Sequence, residues 1–180
     1  ENYWSRSGDA HKYTISIGMT LGTLMAANVW MIIWKSQKVV LANAVNVIGG
    51  AAADPAAAGA GRKALLASRA NFIFSFSMLW FMVGAAHFYP AAFPNATSSN
   101  AMTLLIIALV LTAILQINAL GLLGGTAATN KLLWPFESHK NEMITGGFLS
   151  LILWVATGVL LNSPSLRCDR VLIRRIVDAL

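Results

Sequence analysis

Charge is what this sequence has least of. Thirteen Lys and Arg and seven Asp and Glu make up 11% of the 180 residues, whereas 57% are hydrophobic and the mean hydropathy is +0.63. Soluble domains carry roughly 25% charged residues, so a wholly water-exposed surface is excluded. Cysteine is nearly absent too. Cys168 stands alone, which excludes an internal disulfide, a CxxC redox pair and a CxxCH haem attachment site. The first apolar run lacks a basic start directly before a short apolar region, and no small-residue cleavage site follows "WMIIWKSQKVV", so that run does not read as a secretory signal. The chain begins at Glu1 rather than Met and reads as a fragment or a processed product.

Four long apolar runs are what the sequence does have, over residues 13–34, 70–89, 101–123 and 143–161. A bilayer core of about 30 Å needs about 20 helical residues to cross it. Lipid offers no partner for backbone N–H and C=O groups, so each crossing must be a helix. The expected fold is therefore an all-α integral membrane protein of four transmembrane helices, forming a single membrane domain over residues 1–180.

The connections are uneven in charge. Lys35, Lys38, Arg62, Lys63 and Arg69 follow the first run, "PAAFPNATSSN" after the second has no charge, and Lys131 and Lys140 follow the third. Excess Lys and Arg marks the cytoplasmic side, so the first and third connections are expected inside and both termini outside. Within the interfacial segment 36–69, "SQKVVLANAVNVI" puts Val40, Leu41, Ala44, Val45 and Ile48 on one face, as in an amphipathic helix. Asp54-Pro55 reads as the N-cap and first residue of a restarting helix. Residues 171–180 set Val171, Leu172, Ile176 and Leu180 against Arg174, Arg175 and Asp178, an amphipathic C-terminal helix. The net charge of +6 then belongs beside anionic headgroups. No aromatic-rich basic motif points to nucleic acid.

Small residues recur at helical spacing: Gly18, Gly22 and Ala26 in the first run, and Gly146, Gly147 and Ser150 in the fourth. In lipid such faces let a second helix approach closely, so these six residues are the expected helix-packing sites. No Asp, Glu, Lys or Arg falls inside any of the four runs, which argues against ion or proton transport through this chain alone. Asn28, Ser75, Ser77, Gln116 and Asn118 are expected to hydrogen-bond between helices. The histidines are His11, His87 and His139, and no HxxxH, HxxE or ExxH ligand pair is expected. His87, followed by Phe88, Tyr89 and Pro90, reads as an interfacial residue of an aromatic belt. No catalytic residue and no metal site are expected.

The stretch "IGMTLGTLMAANVWMIIWKSQKVV", followed by "DPAAAGAGRKALLASRANFIFSFSMLWFMVGAAHFYP", resembles the membrane domain of the bacterial cytochrome c-type urate oxidases. Gly22-Thr23, Met25-Ala26, Asn28-Val29, Gln37 to Val40, Asp54-Pro55, Asn71 and a histidine near Tyr89-Pro90 carry the resemblance. It implies a multi-helix membrane domain linked to electron transfer. The family pattern has a histidine where this chain has Ser16, another where it has Ala70, and more near Leu115 and Ala119 to Gly121; only His87 remains as a near match. No cytochrome c domain of that family is expected within these 180 residues. The resulting expectation is a non-catalytic membrane subunit without a cofactor, packed with other integral membrane subunits and lipids of a larger redox or photosynthetic complex in the bacterial inner membrane. The alternative is a haem-binding electron-transfer domain with His87 as a ligand.

Overall fold

A computed structural model describes residues 8–162; the C-terminal segment 171–180 and Cys168 lie outside the described residues. Four helices are long and apolar enough to cross a membrane, and no strand occurs among the described residues. The first is a rod of 40 residues, Asp9–Ile48, built from α1 (Asp9–Ala27), a π-helical turn (Asn28–Ile33) and α2 (Trp34–Ile48). After the glycine break, α3 (Pro55–His87) returns, followed by the single turn α4 (Tyr89–Ala92). Next come α5 (Ser98–Ala119), a 3-10 turn (Lys131–Phe136) and α6 (His139–Asn162).

Local chemistry sets most of these limits. Pro55 opens α3, and the Asp54 carboxylate accepts from the Ala56 N–H at 2.8 Å, as the sequence predicts. Thr97 caps α5 and Asn130 caps the 3-10 turn. Gly121 closes α5 at φ +77°, a left-handed conformation that favours glycine. The third run therefore ends as a helix at Ala119, short of residue 123.

The first run corrects the expected separation of span and amphipathic helix. Nothing between Trp34 and Gly49 can break a helix, so Lys35 and Lys38 simply continue the rod. At 1.5 Å per residue the rod is about 60 Å long and α3 about 50 Å. Both exceed one bilayer crossing, so α2 and the first turns of α3 form a hairpin beyond it. On α2, Val40 packs toward Gly61 while Leu41, Ala44, Val45 and Ile48 are exposed.

In the bundle, α1 packs on α3, α3 on α6, α6 on α5 and α5 on α1, with α3 making the most extensive contacts. Helices α3 and α6 run parallel at a constant offset, seen in the pairs Arg69–Glu142 and Ser77–Ser150. The core between them holds Ile17, Leu21, Phe74, Phe81, Leu104 and Leu153. Large apolar side chains such as Met31, Leu79, Val110, Phe148 and Val159 face outward, as lipid permits.

The small-residue sites divide. A methyl added at Gly18 would meet the Met82 side chain at 2.7–2.8 Å, and one at Gly146 would meet the Phe76 ring at 2.8 Å and the Ile73 carbonyl at 3.2 Å. Ser150 shares a 3.0 Å hydrogen bond with Ser77. These three join helices of this chain. A methyl added at Gly22 or Gly147 would meet nothing within 4 Å, and Ala26 is exposed; among the described residues these three join no helices.

Candidate functional site

Polar side chains gather toward the end of the bundle that carries the first and third connections. One turn inside that end, the Asn28 and Gln116 side chains face each other and exchange two hydrogen bonds, Asn28 Nδ2 to Gln116 Oε1 at 3.0 Å and Gln116 Nε2 to Asn28 Oδ1 at 2.7 Å. Asn28 Nδ2 also donates to Asn71 Oδ1 at 2.8 Å, and Asn71 Nδ2 donates to the Met25 carbonyl at 3.0 Å. Three helices thus meet through three amides. Asn28 is 1% exposed and Gln116 8%, so water does not compete. Asn28 also begins the π-helical turn; such turns insert one extra residue into a helix. Asn28 and Gln116 behave as the sequence predicts, as helix-to-helix hydrogen-bonding groups. Their pairing with each other had no signal in the spacing.

Further out lies a charge cluster that the apolar runs conceal. The Arg69 guanidinium pairs with the Glu142 carboxylate, Nε to Oε1 at 2.8 Å, although Glu142 is 1% exposed. Arg69 also donates to the Phe136 carbonyl. The second Glu142 oxygen lies 3.2 Å from His139 Nδ1. Beside them Arg62 grips Glu137 through both terminal nitrogens and donates from Nε to the Thr126 carbonyl at 3.0 Å. Two arginines of α3 therefore clasp the third connection and the start of α6. Arg69 and Glu142 each stand one residue outside an apolar run, as the sequence has it, but both belong to helices that form spans. His139 and Glu142 form an HxxE pair on one turn, correcting the expectation of no such pair. Glu142 Oε2 faces His139, whereas Oε1 and Arg69 Nε meet as an ion pair without an aligned hydrogen bond.

At the opposite end, His11 donates from Nδ1 to the Ala85 carbonyl at 2.8 Å, and Asp9 joins Lys12 and Ser98. His87 is exposed at the last residue of α3, two residues from Ala85. Trp80, Phe88, Tyr89 and Phe93 surround that end as a chain of ring contacts with centroids 5.1–6.0 Å apart. The fold thus brings His11 and His87 to one end and leaves His139 at the other. Among the described residues no three His, Cys, Asp or Glu side chains gather as a metal site. Ser16 and Ala70, which stand where the resembled pattern has histidine, carry a hydroxyl bonded to the Lys12 carbonyl and a fully buried methyl, respectively.

The family profile described as "Urate oxidase N-terminal" matches residues 7–135. The match takes in the amide cluster, Arg62, Arg69, His11 and His87, and stops before Glu137, His139 and Glu142. No curated protein and no solved structure matches the chain.

Proposed function

We propose that this chain, which belongs to the urate oxidase N-terminal family, serves as a non-catalytic integral membrane subunit that packs into a larger redox or photosynthetic complex and stabilises it. The observation that carries this reading is the outward face of α1. Gly22 meets open space, Ala26 is exposed, and an open groove lined by Ser16, Met19, Thr20 and Thr23 runs beside them. The groove's hydroxyls already bond to their own helix: Ser16 to Lys12, Thr20 to Ser16 and Thr23 to Met19, at 2.7–2.9 Å. A small-residue face with no unmet polar group suits close approach by a partner helix, where dispersion contacts supply the attraction. The three amides and the Arg62–Glu137 and Arg69–Glu142 pairs, by contrast, join elements of this chain itself.

The test separates assembly from folding. Gly22→Leu should leave the purified chain as stable as wild type but lower the yield of the native assembly on a native gel. Gly18→Leu drives into Met82 and should lower the chain's own stability by about 1–3 kcal/mol. Equal assembly yield for wild type and Gly22→Leu would remove the basis for the proposal. In the bacterial inner membrane, the basic end faces the cytoplasm in this reading. Cysteines placed at Ser36 and Ser98 should then label from opposite sides, and labelling of position 36 from outside intact cells would reverse it.

A second reading follows from His11 and His87 sharing one end. In it, His87 and a ligand from another subunit would hold a haem for electron transfer. The residues present fit such a group poorly, because an axial ligand needs a partner that fixes its ring, and the His87 ring has none among the described residues. The visible spectrum of the native assembly discriminates between the readings.

A further inference from the structure

At the basic end, the rod, α3 and the end of α5 enclose a side-opening cavity of about 400 Å³. Met31, Ile32 and Leu120 form its apolar part, and Lys35, Ser36 and Lys63 line its polar part. From these contacts we infer that the cavity is a binding site for an anionic phospholipid, with the phosphate between Lys35 and Lys63 and an acyl chain along Met31, Ile32 and Leu120.

Three observations carry the inference. The first is depth. Trp34, half-exposed with the Lys38 ammonium 5.1 Å from its ring centroid, stands where a tryptophan marks the boundary between lipid and water. Lys35 follows it directly, so the cavity's lysines lie at headgroup level and its apolar wall lies below them. The second is unspent charge. Among the described residues neither Lys35 nor Lys63 forms an ion pair or hydrogen bond, whereas Glu137 is held by Arg62 and Glu142 by Arg69. Asp54, the remaining acid of this end, caps α3. Among the described residues no nearby carboxylate is left to neutralise the pair.

The third concerns the α5 terminus, which could have explained the lysines as a helix cap. The Gln116, Ile117 and Asn118 carbonyls already accept from the backbone N–H groups of Leu120, Leu122 and Gly121, at 2.9–3.1 Å. The lysines are not needed there. A basic pocket between helices on this side of a membrane recognises acidic headgroups, and the apolar wall distinguishes a lipid from a small soluble anion.

Full-length protein purified in mild detergent provides the test. Thermal unfolding would be followed with added phosphatidylglycerol, phosphatidylcholine or inorganic phosphate, and co-purified lipid would be measured by native mass spectrometry. Phosphatidylglycerol should raise the melting temperature more than phosphatidylcholine, and phosphate should have no effect. Each lysine near an anionic surface is worth about fivefold in affinity, so Lys35→Gln with Lys63→Gln should bind the lipid about 30-fold more weakly. Lys131→Gln with Lys140→Gln removes the same charge from the same end outside the cavity and should change binding much less. Equal effects of the two double variants, or equal stabilisation by the two lipids, would overturn the assignment. Stabilisation by phosphate equal to that by phosphatidylglycerol would also overturn it, in favour of a free-anion site.

Discussion

The two ends of the bundle are fastened by different chemistry. At one end residues 35–69 and 131–142 carry seven basic and three acidic groups, and two of the acids are locked onto arginines of α3. At the other end, among the described residues, the Asp9–Lys12 pair is joined by the His11–Ala85 bond, the Asn100 amide on the Leu160 carbonyl and a ring of aromatic contacts. The difference follows the connections. The first end must hold the eleven-residue segment between α5 and the 3-10 turn, and its arginines bond the Thr126 and Phe136 carbonyls to do so. The second end is crossed by a shorter uncharged link in which Tyr89, 3% exposed, fills the space beside Gly84. Charge fastens a long loop, and apolar packing fastens a short one.

The largest test of that contrast is the Arg69–Glu142 pair. Desolvating two charges is expensive, and their attraction offsets the cost only while both are present. Glu142→Gln leaves the Arg69 guanidinium, 15% exposed, without its counter-charge, and should destabilise the chain by about 3–5 kcal/mol. Restoring apolar packing with Arg69→Met and Glu142→Leu together should recover most of this. Thermal unfolding in detergent reads both; a Glu142→Gln protein that melts with wild type would mean this end is not held by the buried charge.

A smaller effect is expected one turn deeper, where charge gives way to amides. Asn28→Leu strands the Gln116 side chain and removes the donor to Asn71, which should cost about 1–2 kcal/mol. Gln116→Leu should cost a similar amount. The double variant should lose less than the sum, with a coupling of about 0.6–1.7 kcal/mol. Strict additivity would mean that the two amides do not depend on each other.

Legibility in the sequence followed length scale. Four helices, the Asp54-Pro55 start and the tight packing at Gly18 and Gly146 could be read because each depends on a run or on local spacing. The continuous rod was missed because a change in composition at Lys35 looks like a boundary, while helix geometry responds only to breakers such as Gly49-Gly50. Arg69 and Glu142 were missed for a related reason. Each stands one residue outside an apolar run, and only the parallel packing of α3 and α6, 73 residues apart in sequence, brings them together. The same holds for Asn28 and Gln116, separated by 88 residues. Polar residues in apolar runs announce that they need partners, but their own sequence neighbourhood does not say which.

The smallest effect belongs to the second end and to its histidines, which are not equivalent. His11 ties the start of α1 to Ala85, so His11→Ala should cost about 1 kcal/mol, the net value of one hydrogen bond. His87 is exposed at the last turn of α3, with Phe88 beside Trp80 at 5.5 Å between ring centroids. An interfacial imidazole there needs only water or a headgroup, and a glutamine offers the same. His87→Gln should therefore change stability by less than about 0.5 kcal/mol and leave the visible spectrum of the native assembly unchanged. Loss of a haem band from an otherwise intact His87→Gln assembly would reverse the comparison, making the aromatic end the site of chemistry and the charged end its anchor.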